Sequence, residues 1–271
     1  MILSRKTFSN LASHLIMILV VFIVLFPMVY AILVSTQTAR EYFRFPPRLL
    51  PGTGTIENFK NAWTTGHLGR LLFNSTFISL TVALGKIALS IIAGFAFVYF
   101  DFKGKTFFFI MILITHMLPL PVRIVPTYVL MTNFRWVNTY YALTIPFFAS
   151  ATGTLLFRQL YRMIPTSLAD ASRVDGVKPM QFLWYIVVPI SKTNIAALFL
   201  IEFIYIWNQY LWPLIVANAE KMRVIQIGLK QLIDTDAAVD WNIVMAGTVM
   251  GMIPPLIVLI LFQTSLIKGL S

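Results

Sequence analysis

The chain has 271 residues, of which 58% are hydrophobic and 11% charged, with a formal net charge of +11 and no cysteine. A mean hydropathy of +0.81 excludes an ordinary soluble domain and makes lipid the natural solvent for much of the surface. Without thiols there is no disulfide framework, cysteine nucleophile or thiolate metal site, and basic residues scattered between apolar runs argue for anionic headgroups rather than nucleic acid.

A helix crosses the bilayer core in about 20 apolar residues, because no backbone polar group can go unpaired there. Six stretches are long enough, at roughly 14–34, 72–99, 107–131, 138–160, 193–217 and 243–267. The expected fold class is an all-α membrane protein, with residues 1–13 as a short leading segment and 14–271 as one six-span domain. The first span follows Arg5 and Lys6, exceeds the length of a signal-peptide core and has no small-x-small site after it, so it is expected to remain as an anchor. Residues 35–71, containing FPPRLLPGTGTIENF, read as an ordered external loop.

Charges inside spans are costly and therefore informative. Lys86 falls near the middle of span two and Glu202 near the middle of span five, so either the two pair or Lys86 meets substrate. Gly85-Lys86 is no phosphate-binding loop, because that motif needs a glycine where Leu80 stands. Pro119, Pro121 and Pro126 are expected to break span three by removing helix donors, and Arg123 sits among them. Broken membrane helices line cavities or protein interior. The planar fork of Arg123 suits an anion there, and snorkelling to the outer interface suits it equally.

Between spans four and five lies LADASRVDGVKPMQFLWYIVVPI, part of an insert at 165–190. Ser167 with Asp170 reads as a capping box, Gly176 as the left-handed residue ending a first short helix, Pro179 as the first turn of a second and Pro189 as its stop. The expected product is a helix–glycine–helix knuckle. In span five, WNQYLWPL offers Asn208 as a hydrogen-bonding side chain, with Trp207, Tyr210 and Trp212 expected in an interfacial aromatic belt. Residues 218–242, carrying Asp234, Asp236 and Asp240, read as a second external loop. His14, His67 and His116 show no ligand spacing, so no metal site is expected. Loop charge barely orients the chain, with ten basic residues on the N-terminal side against nine on the other.

The insert resembles the cytoplasmic coupling loop of binding-protein-dependent ABC importer permeases, written E-A-A, D-G and I-x-L-P. Asp170-Ala171-Ser172 stands at the first position, Asp175-Gly176 at the second, and Ile186 with Pro189 at the third. The shorter Asp170 and the polar Ser172 depart from that pattern. The resemblance implies the type I permease fold of six transmembrane helices, a prokaryotic plasma (inner) membrane location, cytoplasmic N- and C-termini, and a loop docked in a separate ATPase. It also implies a second homologous permease subunit, an ATPase dimer that uses the ATP, a solute-binding protein outside, and no cofactor on this chain. The stretches SLTVALGKIALS, MLPLPVRIVPT, SATGTLLFRQ, SKTNIAAL and WNQYLWPL are similar to the shorter permease subunit of sn-glycerol-3-phosphate importers. That likeness implies sn-glycerol-3-phosphate or glycerophosphodiesters as substrate, with an uncharged sugar as alternative because the last stretch also occurs in sugar importers. A secondary transporter would show internal repeats, and none is seen. An enzyme would need paired carboxylates, a nucleophile set or a metal cluster at membrane depth, and none is present.

Overall fold

A computed structural model describes residues 5–233 and 239–269, so Asp234 and Asp236 lie outside the described residues. Among the described residues the regular elements are helices. In chain order they are α1 (Arg5–Thr36), α2 (Ala39–Tyr42), α3 (Thr55–Thr65), α4 (Leu68–Tyr99), α5 (Lys105–Met117) and α6 (Leu120–Asn133). There follow α7 (Tyr140–Thr144), α8 (Ala151–Met163), α9 (Thr166–Val174), α10 (Pro179–Phe182), α11 (Val188–Ile190) and α12 (Lys192–Trp207). The last three are α13 (Leu211–Val216), α14 (Ile225–Ile233) and α15 (Trp241–Gly269). Two compact units emerge, one of residues 1–69 and 228–252, the other of 70–227 and 253–271.

Among the described residues, four helical segments are long and apolar enough to cross a membrane: Ser13–Thr36, Leu68–Tyr99, Tyr140–Met163 and Trp241–Ile267. A fifth arises if Pro179–Ile190 and Lys192–Trp207, bent by 76° at their junction, count as one. The expected third span is divided at Leu118 and Pro119 into α5 of 13 and α6 of 14 residues. At 1.5 Å per residue each covers only about 20 Å. The break comes at Pro119 alone. Pro121 is accommodated in the first turn of α6 and Pro126 inside it.

In the first unit, α1 is exposed over residues 13–27, with 6% of its apolar window buried. Its C-terminal end is tied down by amides. Asn58 on α3 is buried and donates to the carbonyls of Ser35 (2.9 Å) and Gln37 (2.7 Å), while its own oxygen accepts from Asn242 at 2.8 Å. Thr36 accepts from the Gly52 amide at 2.9 Å. The segment after α1 is therefore ordered, as its Pro and Gly content suggested.

In the second unit, α4 is the axis. Its Ile78 and Val82 pack with Ile124, Ala142, Ile206 and Trp212 in one apolar cluster. Further along, its Ile87, Ile91 and Phe95 pack with Phe157, Tyr161, Phe182, Leu183 and Leu198 in another. Gly94 allows α8 to approach closely, since a Cβ there would lie 2.7 Å from that of Phe157. Both clusters thus share one helix, and the charged pair described below lies between them.

Candidate functional site

Lys86 and Glu202 meet inside the second unit. The Lys86 Nζ lies 2.5 Å from the Glu202 Oε2, and the side chains are only 9% and 7% exposed. Two further contacts complete the arrangement. Ser150 donates its hydroxyl to the other carboxylate oxygen at 3.1 Å and accepts the Gly153 amide at 3.0 Å. Being the residue ahead of α8, it serves as N-cap and anion partner together. The Lys86 ammonium also lies 5.0 Å from the centre of the Tyr205 ring. The pair so links α4, α8 and α12 at one buried point. Ser150 and Tyr205 were not singled out from sequence. A serine directly before an α8-like pattern is a legible cap, but its second partner is 52 residues away.

The knuckle at 165–190 forms, with corrections. The capping box is not made: α9 starts at Thr166 with Pro165 before it, which moves Ser167 into the first turn. Asp170 instead accepts from the Arg173 guanidinium at 3.0 Å, an exposed pair. Gly176 does adopt the left-handed conformation, φ +71, and Pro179 does open α10. Pro189 does not stop the helix. A widened five-residue turn, Leu183–Val187, carries the chain past it into α11. Proline lacks an N–H and crowds the carbonyl four residues back, and a wide turn relieves both faults. The chain turns at Ser191 instead, where the backbone N–H donates to Val187 and Val188, and the hydroxyl to Val187 at 2.7 Å.

Two of the knuckle's attachments lead to the charged pair. Phe182, buried, packs edge-on to Tyr99 at 5.3 Å and against Phe95, both near the C-terminal end of α4. Through α11 and Ser191 the chain then runs into α12. The helices that carry Lys86 and Glu202 are thus both held by the knuckle, as is α8 through Phe157 and Tyr161. Of its motif residues, Asp170, Ala171, Asp175, Gly176 and Pro189 are exposed, Ile186 is half-buried and Ser172 is buried. Val174 stands out with 87% exposure.

Arg123 and Asn208 are not brought to the ion pair. Arg123 is exposed on α6, and its carbonyl accepts from the Thr127 hydroxyl. Asn208 ends α12 with its amide turned back onto the Ile204 carbonyl at 3.0 Å. The aromatic belt needs revision. Trp212 is buried and donates its ring N–H to Ala142 at 2.9 Å, and Trp207 is buried as well, leaving only Tyr210 exposed. A buried indole with a found acceptor, as at Trp212, is core packing. Among the described residues no group of three or more His, Cys, Asp or Glu side chains is placed to hold a metal.

The family description "binding-protein-dependent transport system inner membrane component" matches residues 86–271. The chain belongs to that family. Its members here include sn-glycerol-3-phosphate transport system permease proteins, UgpE, similar from end to end. The Brucella melitensis biotype 1 protein is 45% identical over 276 residues, covering 99% of this chain and 98% of its own. The Rhizobium meliloti protein is 44% identical and the Escherichia coli O1:K1 protein 40%, at the same coverage. The fold is shared with a bacterial ABC transporter involved in import of the acidic polysaccharide alginate, at TM-score 0.87 and 20% identity, over 97% of this chain and 99% of that one. This family member is accordingly a multi-pass membrane transport component.

Proposed function

We propose that the chain is one of two homologous permease subunits of an ATP-driven importer for sn-glycerol-3-phosphate or related glycerophosphodiesters. The observation that carries the substrate class is the identity of 45%, end to end, with a protein named for that cargo. Six crossings make up the subunit, α5 and α6 together forming the third, with both termini in the cytoplasm of a prokaryotic cell. The knuckle at 165–190 faces the same side and docks in an ATPase dimer, which binds the ATP; this chain carries no cofactor. A solute-binding protein delivers cargo from outside.

Geometry supports the coupling. A push on the exposed face of Asp170, Ala171, Asp175 and Gly176 reaches α4 through Phe182 and α12 through Ser191. Ser172 anchors that face from beneath, its hydroxyl on the Ala169 carbonyl at 2.7 Å. Ile186 and Pro189 shape the wide turn that joins knuckle to membrane helix. Where α4 and α12 meet, the pair Lys86–Glu202 makes them answer together. Arg123 and Asn208 are assigned to the substrate path, the guanidinium for phosphate and the amide for hydroxyls.

The test is uptake by the complete importer in proteoliposomes, with labelled sn-glycerol-3-phosphate and maltose as competing cargoes. Phosphate ester alone is expected to accumulate; accumulation of maltose alone overturns the substrate class. Asp170→Lys and Gly176→Trp are expected to abolish uptake and reduce ATPase recovered with the subunit. The Asp170–Arg173 pair is exposed and worth at most about 1 kcal/mol, so Asp170→Lys leaves the chain itself intact, and subunit abundance in the membrane separates lost coupling from the backbone strain that Gly176→Trp meets at φ +71. Normal uptake by both variants overturns the coupling role.

A further inference from the structure

We infer that residues 37–54, the strap that follows α1, form a contact site for anionic phospholipid headgroups. The strap exposes large apolar side chains: Phe45 is 92% exposed, Phe43 65% and Leu50 62%. Contiguous apolar exposure of this kind marks a surface made to be covered. Interleaved with these residues are three arginines, Arg40, Arg44 and Arg48, against a single acid, Glu41. Arg48 and Glu41 are 2.8 Å apart and satisfy each other. Arg40 and Arg44, both exposed, remain as the net positive charge of the strap. Aromatic rings with arginines are what the water–lipid boundary selects, since rings sit among headgroups and each cation gains from anionic lipid.

Position decides for lipid over a protein surface. The apolar run of α1 from Leu15 to Val34, exposed along its first half and closing to burial at Val34, is 20 residues, about 30 Å of helix, which matches the hydrocarbon thickness. The strap begins three residues beyond, about 5 Å outside the hydrocarbon edge, which is headgroup depth. It cannot swing away from there. The Gln37 amide, buried at the helix end, donates to the carbonyls of Arg48 (2.7 Å) and Leu50 (3.0 Å), folding the far half of the strap back onto α1. Thr36 holds Gly52 and, through its carbonyl, Gly54 at 2.8 Å. Rings and arginines are thus pinned at the depth where lipid phosphates lie.

The chain has no cysteine, so Phe45→Cys supplies one attachment point for a spin label in the assembled importer, with the unlabelled background subtracted. Collision with membrane-soluble oxygen and water-soluble nickel chelate is measured in nanodiscs of phosphatidylcholine, with or without phosphatidylglycerol. Higher oxygen than nickel access, rising with phosphatidylglycerol, is the expected result. Arg40→Gln with Arg44→Gln should lower the engaged-to-free ratio of the strap roughly fivefold per arginine. Nickel access at every lipid composition overturns the inference. So does lipid-like access that ignores phosphatidylglycerol and both arginines. Protection from both reagents overturns it too, and makes the strap a protein interface.

Discussion

Breaking the Lys86–Glu202 pair is the sharpest perturbation available. Each side chain is under a tenth exposed, so removing one partner strands a charge away from water. Lys86→Met leaves Glu202 with one hydrogen bond, from Ser150. The cost expected for stranding a buried charge is about 3–5 kcal/mol. Removing both charges together, Lys86→Met with Glu202→Gln, should return most of that loss, because no buried charge remains. The swapped pair, Lys86→Glu with Glu202→Lys, should also recover. It should fall short of the parent by roughly 1–2 kcal/mol, since a carboxylate over the Tyr205 ring forfeits the cation–ring attraction. Thermal unfolding of the purified subunit in detergent gives the double-mutant cycle, and uptake gives its functional counterpart. A coupling near zero, or a swap worse than both single changes, refutes the pairing as the tie between α4 and α12.

Arg123→Gln should raise the substrate concentration needed for half-maximal uptake about tenfold or more, one charged hydrogen bond being worth roughly 1.5–3 kcal/mol, without lowering subunit abundance; an unchanged uptake curve removes Arg123 from the path. Glu41 has a carboxyl held below its ordinary value of 4.5, chiefly by the Thr38 amide, then by the Thr53 amide, the Thr38 hydroxyl and Arg48. A depressed carboxyl stabilises the fold above its unfolded value and ceases to as pH falls through the lower folded value. Protease cleavage within 37–54 should therefore accelerate only below about pH 4.5. Acceleration already at pH 6, or none at pH 3, would contradict this account.

Much of the architecture was legible because lipid imposes so few solutions. Apolar length alone placed α1, α4 and α15, and the Gly176 turn followed from the need for a positive φ between two short helices. The pairing of Lys86 with Glu202 could be read from depth, since both fall mid-span. What sequence could not reveal is what depends on neighbours far along the chain. Ser167 looks like a cap until Pro165 takes the boundary. Trp212 looks like a belt residue until Ala142 on α7 provides an acceptor, and Trp207 until it is buried with Phe203 stacked on it. Pro189 looks like a stop until the wide turn at Leu183–Val187 absorbs it. The division of the third span shows a limit of counting: composition records how greasy a stretch is, but not where its helix ends.

Because the 76° corner at Ser191 is sealed by its own hydroxyl and amide, it has the character of a welded elbow rather than a pivot. Rotation of the short arm is then inherited whole by the long one. α12 extends 16 residues beyond the elbow, about 24 Å, so a tilt of about 10° displaces the backbone at Trp207 by roughly 4 Å. A nudge at one surface is thereby amplified at the opposite end of the helix, without any residue between having to unfold.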